Sequence, residues 1–211
     1  MKTETMTIHQ ALIELKTLDK RISAKIDGQK WCAANRHSNS KIDGKSIEEF
    51  RTSVREQWQS LNDLFARRAA LRRAVGRSNA ETQVTICGVP YTVSEAIEMR
   101  DRGINIKNLF LGVLAKQKKT EAGRVENENQ ELTESADDYI MRMFGAKDKL
   151  NADDVKKLRD AYIEANTWEF VDPLMIDKRI EALKQEIEDF NSAVDCALSV
   201  SNAVTTVTIE Y

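Results

Sequence analysis

Ile176-Asp177-Lys178-Arg179-Ile180-Glu181-Ala182-Leu183-Lys184-Gln185-Glu186-Ile187-Glu188-Asp189-Phe190-Asn191-Ser192-Ala193-Val194 carries the clearest periodic signal in the chain. Ile176, Ile180, Leu183, Ile187, Phe190 and Val194 alternate four and three apart, which is the seam of a coiled coil. A helix with such a stripe needs partner helices, supplied by the same chain or by another copy. Asp172-Pro173 just before it pairs a capping side chain with a first-turn proline.

Working outward, Ile8, Leu12, Leu15, Ile22 and Ile26 predict an amphipathic helix over residues 7–27, capped by Thr7 and ended near Gly28. Gln29 to Gly44 has no sustained period and reads as an ordered loop in which Trp31 must find a packing partner. Ser46 and Glu49 form a capping box ahead of Ile47, Phe50, Val54, Trp58, Leu61 and Phe65, a helix running to about Val75. Thr82 to Val93 is rich in β-branched residues around a Gly88-Val89-Pro90 turn, a short hairpin. Thr92 and Glu95 then cap a helix that pauses at Gly103. Apolar positions Ile106, Leu109, Phe110, Val113 and Leu114 are followed by a polar stretch, Lys116 to Asp138, read as a solvated helix or a link. Gly145 ends that helix, Asn151 caps the next, and Thr167 to Val171 breaks the pattern.

Ser78-Asn79-Ala80-Glu81-Thr82-Gln83-Val84-Thr85-Ile86 returns as Ser201-Asn202-Ala203-Val204-Thr205-Thr206-Val207-Thr208-Ile209, with seven of nine residues the same. Each copy follows a long helix. Two equivalent units are implied, whose strands pair either with each other in one small sheet, the favoured arrangement, or across a subunit boundary, with Asn79 and Asn202 as left-handed helix stops. The expected fold is mainly α: long antiparallel helices in a coiled-coil bundle, with a small β-hairpin or sheet from residues 82–93 and 204–210. The expected segments are a helical hairpin with a β-hairpin over 1–115, a polar helical connection over 116–150, and a helical unit over 151–211.

The first copy, together with Gly88 and Tyr91-Thr92-Val93-Ser94-Glu95-Ala96-Ile97-Glu98-Met99-Arg100-Asp101, resembles the central stretch of the septicolysin-like group, small bacterial helical-hairpin proteins. It is also similar to longer helical proteins of tailed phages of Gram-positive bacteria. The first resemblance covers roughly residues 8–115, the second the whole chain. They imply a helical fold and a phage or prophage origin and supply no catalytic motif.

The 32 basic and 34 acidic residues nearly cancel, giving a net charge of −2, so no long nucleic-acid partner is expected. Only 2 prolines and 8 glycines leave few helix breakers. No apolar run reaches membrane-spanning length, about 18 residues, and a polar start argues against an export signal; a cytoplasmic protein is expected, in the host if phage-encoded, or a virion component. Cys32, Cys87 and Cys196 read as reduced core thiols. Phosphate-loop, dinucleotide, nucleophile-elbow and zincin motifs are absent, so no catalytic residue, metal or cofactor is expected. The one concentrated feature is cationic: Arg67, Arg68, Arg72, Arg73 and Arg77, joined by Arg100, Arg102 and Lys107, as an anion pocket or as structural ion pairs. The leading expectation is a non-enzymatic homo-oligomer that binds a virion or host protein. The alternative is a sponge that sequesters a host nucleotide immune signal, and a nucleotide-processing enzyme is the third reading.

Overall fold

The computed structural model describes residues 2–144 and 151–211. The described residues form a mainly α fold, with three separate two-stranded antiparallel sheets among them. In order the chain forms β1 (Thr3–Thr7), α1 (Ile8–Gly28), β2 (Lys41–Ile42), β3 (Lys45–Ser46), α2 (Ile47–Glu81), β4 (Gln83–Ile86), β5 (Val89–Thr92) and α3 (Val93–Glu98). A π-helical turn, Met99–Gly103, leads into α4 (Ile104–Phe144), then α5 (Ala152–Asn166), α6 (Ile176–Val204) and β6 (Thr206–Glu210). Two compact units result: Met1–Asp101 with Phe190–Tyr211, and Arg102–Asp189. The helix end expected at Gly145 lies outside the described residues.

In the first unit α1 packs against α2, and the two ends of the chain pair as β1 and β6 over them. The core is Ile8, Ala11, Leu15 and Leu18 of α1, Ala70, Leu71 and Val75 of α2, and Val207 and Ile209 of β6. Alternation along β6 explains the layering: Val207 and Ile209 are buried while Thr206, Thr208 and Glu210 are exposed. Trp31 meets Trp58 edge to face, with ring centroids 6.1 Å apart, so the 29–40 loop is held against α2, and the expected loop to Gly44 ends instead in strand β2.

The repeat extends further than its nine residues. Thr82 N–H donates to the Ser78 carbonyl at 2.8 Å, and Thr205 N–H to the Ser201 carbonyl at 2.9 Å. Val93 N–H donates to the Thr82 carbonyl, and Ile8 N–H to the Thr205 carbonyl, both at 2.9 Å. Thr7 with Gln10 and Thr92 with Glu95 both complete capping boxes. Thr7-Ile8-x-Gln10-Ala11-Leu12 and Thr92-Val93-x-Glu95-Ala96-Ile97 are therefore equivalent, as are the fully buried Ala11 and Ala96. The chain repeats a strand, capped helix, returning helix and strand, and its ends stand where the Cys87-Gly88 turn stands in the other half.

Four expectations differ from the structure. The two repeat strands do not pair with each other: β4 pairs with β5 and β6 with β1, because each meets the strand that leads into a capped helix. Asn79 and Asn202 are not left-handed stops, since both lie within helices and neither has positive φ. A backbone bond from Thr82 or Thr205 ends each helix instead. The hairpin turn is Cys87-Gly88, with φ of 51° and 80°, and Pro90 sits inside edge strand β5. Positive φ at both turn residues is what a two-residue hairpin loop of this twist requires. The three cysteines are all exposed thiols, not core residues.

In the second unit α4 continues through the polar stretch as one helix and packs on α5 through Ala136 and Ile140. Tyr139 stacks on Tyr162 at 4.0 Å, and Arg159 bonds Asp137 at 3.1 Å. The Asn129 side-chain amide donates to the Trp168 carbonyl and accepts from its N–H, at 2.9 and 2.8 Å, pinning the segment that breaks the helical pattern. Asp172 does cap α6, but through a turn, its carboxylate accepting from the Leu174 and Ile176 N–H groups. The helix accordingly starts three residues beyond Pro173. No helix among the described residues is long and apolar enough to cross a membrane.

Candidate functional site

The arginines of α2 divide into an anchored pair and a free row. Arg67, with a side chain 18% exposed, donates to both Glu4 oxygens at 3.0 and 2.6 Å and also to Glu14 and to the Tyr211 hydroxyl. Its guanidinium lies 4.5 Å from the Tyr211 ring centroid, and the Tyr211 hydroxyl donates to Glu4 at 2.8 Å. The Arg67 bonds, then the Tyr211 bond, pull the Glu4 carboxyl from its ordinary 4.5 to about 2. The hydrogen bonds that Arg67 donates to Glu4 and then to Glu14 raise its own pKa, and the bond that the Tyr211 hydroxyl donates to Glu4 raises that hydroxyl. Arg67 thus fastens β1, α1 and the chain end after β6 to α2. Arg68 is likewise bonded to Asp19 of α1.

Arg72, Arg73 and Arg77 are exposed, and none makes a hydrogen bond or ion pair with another described residue. Arg73 and Arg77 line an open groove of about 650 Å³ between α2 and β6. Arg100 is occupied elsewhere, raised by its bond to Asp101 at 2.8 Å and then by Asp195 at 3.3 Å. Arg102 and Lys107 belong to the second unit, where Lys107 pairs with Glu186. Of the seven arginines read together in the sequence, Arg67, Arg68 and Arg100 are committed to carboxylates, Arg72, Arg73 and Arg77 stand exposed on α2, and Arg102 belongs to the second unit. Among the described residues no group of three or more His, Cys, Asp or Glu is placed to hold a metal ion.

The seam of α6 closes within the chain over its second half. Ile187, Phe190 and Val194 are buried, Phe190 meeting Tyr91 edge to face at 6.0 Å, while Ile176, Ile180 and Leu183 are half-buried. An open apolar stripe stands instead on α4. Ile106, Leu109, Phe110 and Val113 are 67%, 70%, 54% and 42% exposed, whereas Ile104 and Leu114 on another face of the helix are buried. Spacings of three, one and three residues put all four on one line. In the sequence these positions are legible only as apolar; α4 here is apolar on more than one face, and one packed neighbour can cover only one. No acidic residue occurs from Gly103 to Thr120, which also separates this stretch from the acidic half of the helix beyond it.

No family model matches the chain, and no curated protein or solved structure is significantly similar to it.

Proposed function

We propose that this chain is a non-catalytic binding protein of phage or prophage type that self-associates through α4 and presents its remaining surfaces to a virion or host protein. The exposed stripe of Ile106, Leu109, Phe110 and Val113 carries the reading. Large apolar side chains in line on a helix cost solvation free energy unless another surface covers them. The three-one-three spacing reads the same in both directions. A second copy laid antiparallel brings Ile106 to Val113 of its partner and Leu109 to Phe110, the self-complementarity that a two-fold contact needs. The arginine arrangement supports a nucleotide sponge less well, because Arg67, Arg68 and Arg100 already hold carboxylates.

Light scattering over a micromolar concentration series tests the proposal. The chain should run as a dimer or a higher multiple, and Leu109→Asp with Phe110→Asp should give a folded monomer. A wild-type monomer throughout, or a double variant that keeps the wild-type mass, would defeat it.

A further inference from the structure

The groove beside β6 is the edge of an incomplete sheet. β6 bonds to β1 through alternate residues: Lys2 and Tyr211 exchange both backbone bonds at 3.0 and 3.2 Å, and Thr205 accepts from Ile8 at the other end. In an antiparallel ladder this parity turns the N–H and C=O groups of Thr206, Thr208 and Glu210 the opposite way, away from β1. Six consecutive residues, from Thr205 to Glu210, line the groove, as they do when a strand presents its backbone edge rather than one face.

The other wall is α2. It offers two parallel rows four residues apart: Ala70, Ala74 and Ser78, then Arg73, Arg77 and Glu81. The small side chains of the first row leave the groove open. Two helices side by side span roughly 20 Å, whereas two strands occupy roughly 10 Å, so α1 and α2 leave room for another strand over α2.

We propose that this groove takes one extended peptide segment of a partner protein, added as a third strand on β6, with carboxylates on alternate residues facing Arg73 and Arg77. The two guanidiniums have no partner among the described residues and stand four residues apart on a helix, a rise of about 6 Å. Residues two apart on a strand are separated by about 6.8 Å, which matches. α2 runs opposite to β6, with Arg67 at Tyr211 and with Thr82 and Thr205 together at the far end. A strand added antiparallel to β6 therefore runs in the sense of α2. It meets Arg73, Arg77 and Glu81 in that order, which specifies acid, any residue, acid, any residue, base. Backbone bonds to the edge give affinity, and the guanidinium row selects the sequence. A second copy of β6 fits less well, because it would bring its own α2 into the same space.

This inference deepens the partner-binding part of the reading above and does not depend on self-association. A monomer that binds the peptide sustains it, and a dimer that does not bind defeats it. The test is fluorescence anisotropy of the full chain with fluorescein-labelled Thr-Glu-Thr-Glu-Thr-Lys-Thr. Saturable binding is expected, weakened about tenfold or more for the charge-swapped peptide Thr-Lys-Thr-Lys-Thr-Glu-Thr. The same peptide with N-methylated backbone amides should not bind, because its donors to the β6 edge are gone. Arg73→Glu with Arg77→Glu should reverse the preference between the two peptides. Thr208→Pro, which removes an outward N–H not used by β1, should abolish binding of both, with a circular-dichroism melt confirming that each variant folds. Absence of saturable binding up to millimolar peptide, or equal binding of the N-methylated peptide, would overturn the proposal without recourse to any protein variant. Displacement by ATP at a lower concentration than by unlabelled peptide would overturn it in favour of a phosphate site.

Discussion

Arg67 stands where two carboxylates, a tyrosine ring and a tyrosine hydroxyl converge, and its removal leaves Glu4 and Glu14 without their shared cation. Arg67→Ala should cost about 2–3 kcal/mol in urea unfolding, because the bonds lost are charge-assisted and only partly replaced by water. Glu4 fixes the sign of the pH dependence. Its carboxyl is held at about 2, below the ordinary 4.5, so the stabilisation it brings is complete above the ordinary range and is lost as pH falls towards 2. The melting temperature should drop between pH 5 and pH 2, and Glu4→Gln should flatten part of that fall; an unchanged acid profile in the variant would count against this role. Cys87 is a second residue under constraint, a non-glycine side chain at φ 51° in a two-residue turn. Asparagine tolerates that conformation better, so Cys87→Asn should stabilise by about 0.5–1 kcal/mol, read as a rise in melting temperature.

At the scale of elements, the duplicated strand-to-helix junctions should behave alike. Thr7→Ala and Thr92→Ala each remove an N-cap oxygen from an equivalent box and should each cost about 1 kcal/mol by denaturant titration. Much of this was legible beforehand. The caps at Thr7, Ser46, Thr92 and Asn151 follow from local chemistry within four residues, and all four accept the expected backbone N–H. The β4–β5 hairpin was legible too, but the pairing of β1 with β6 was not. Val84-Thr85-Ile86 and Val207-Thr208-Ile209 are alike enough to suggest each other as partners, and nothing local reveals that Thr3 to Thr7, a polar run, is a strand. It becomes one because Met6 and Val207 stand opposite each other over α1 and α2. The α2 end is hidden for a related reason: Gly76 and Ser78-Asn79 look like breakers, but packing of Ala70, Leu71 and Val75 against the core carries the helix to Glu81.

The whole molecule shows why a cluster in sequence need not be a cluster in space. Arg67 to Arg77 lie on one helix, but Arg67 and Arg68 turn to α1 and the chain ends while Arg73 and Arg77 turn to the groove. Which guanidiniums meet carboxylates depends on Glu4, Glu14 and Asp19, whose proximity is set by tertiary packing. The α6 seam was legible as a buried face, but whether it closes within the chain was not, since Tyr91 reaches Phe190 only through the hairpin. The stripe on α4 then becomes the surface that calls for a second copy. Its test is the distance between equivalent labels. With Cys32, Cys87 and Cys196 replaced by serine, spin labels at Leu109→Cys should lie within about 20 Å across a dimer. Labels at Thr120→Cys should lie about 30 Å apart or more, because an antiparallel contact centred on the stripe offsets residue 120 by roughly twenty residues of helix. Short distances at both positions, or no coupling between copies, would contradict the account.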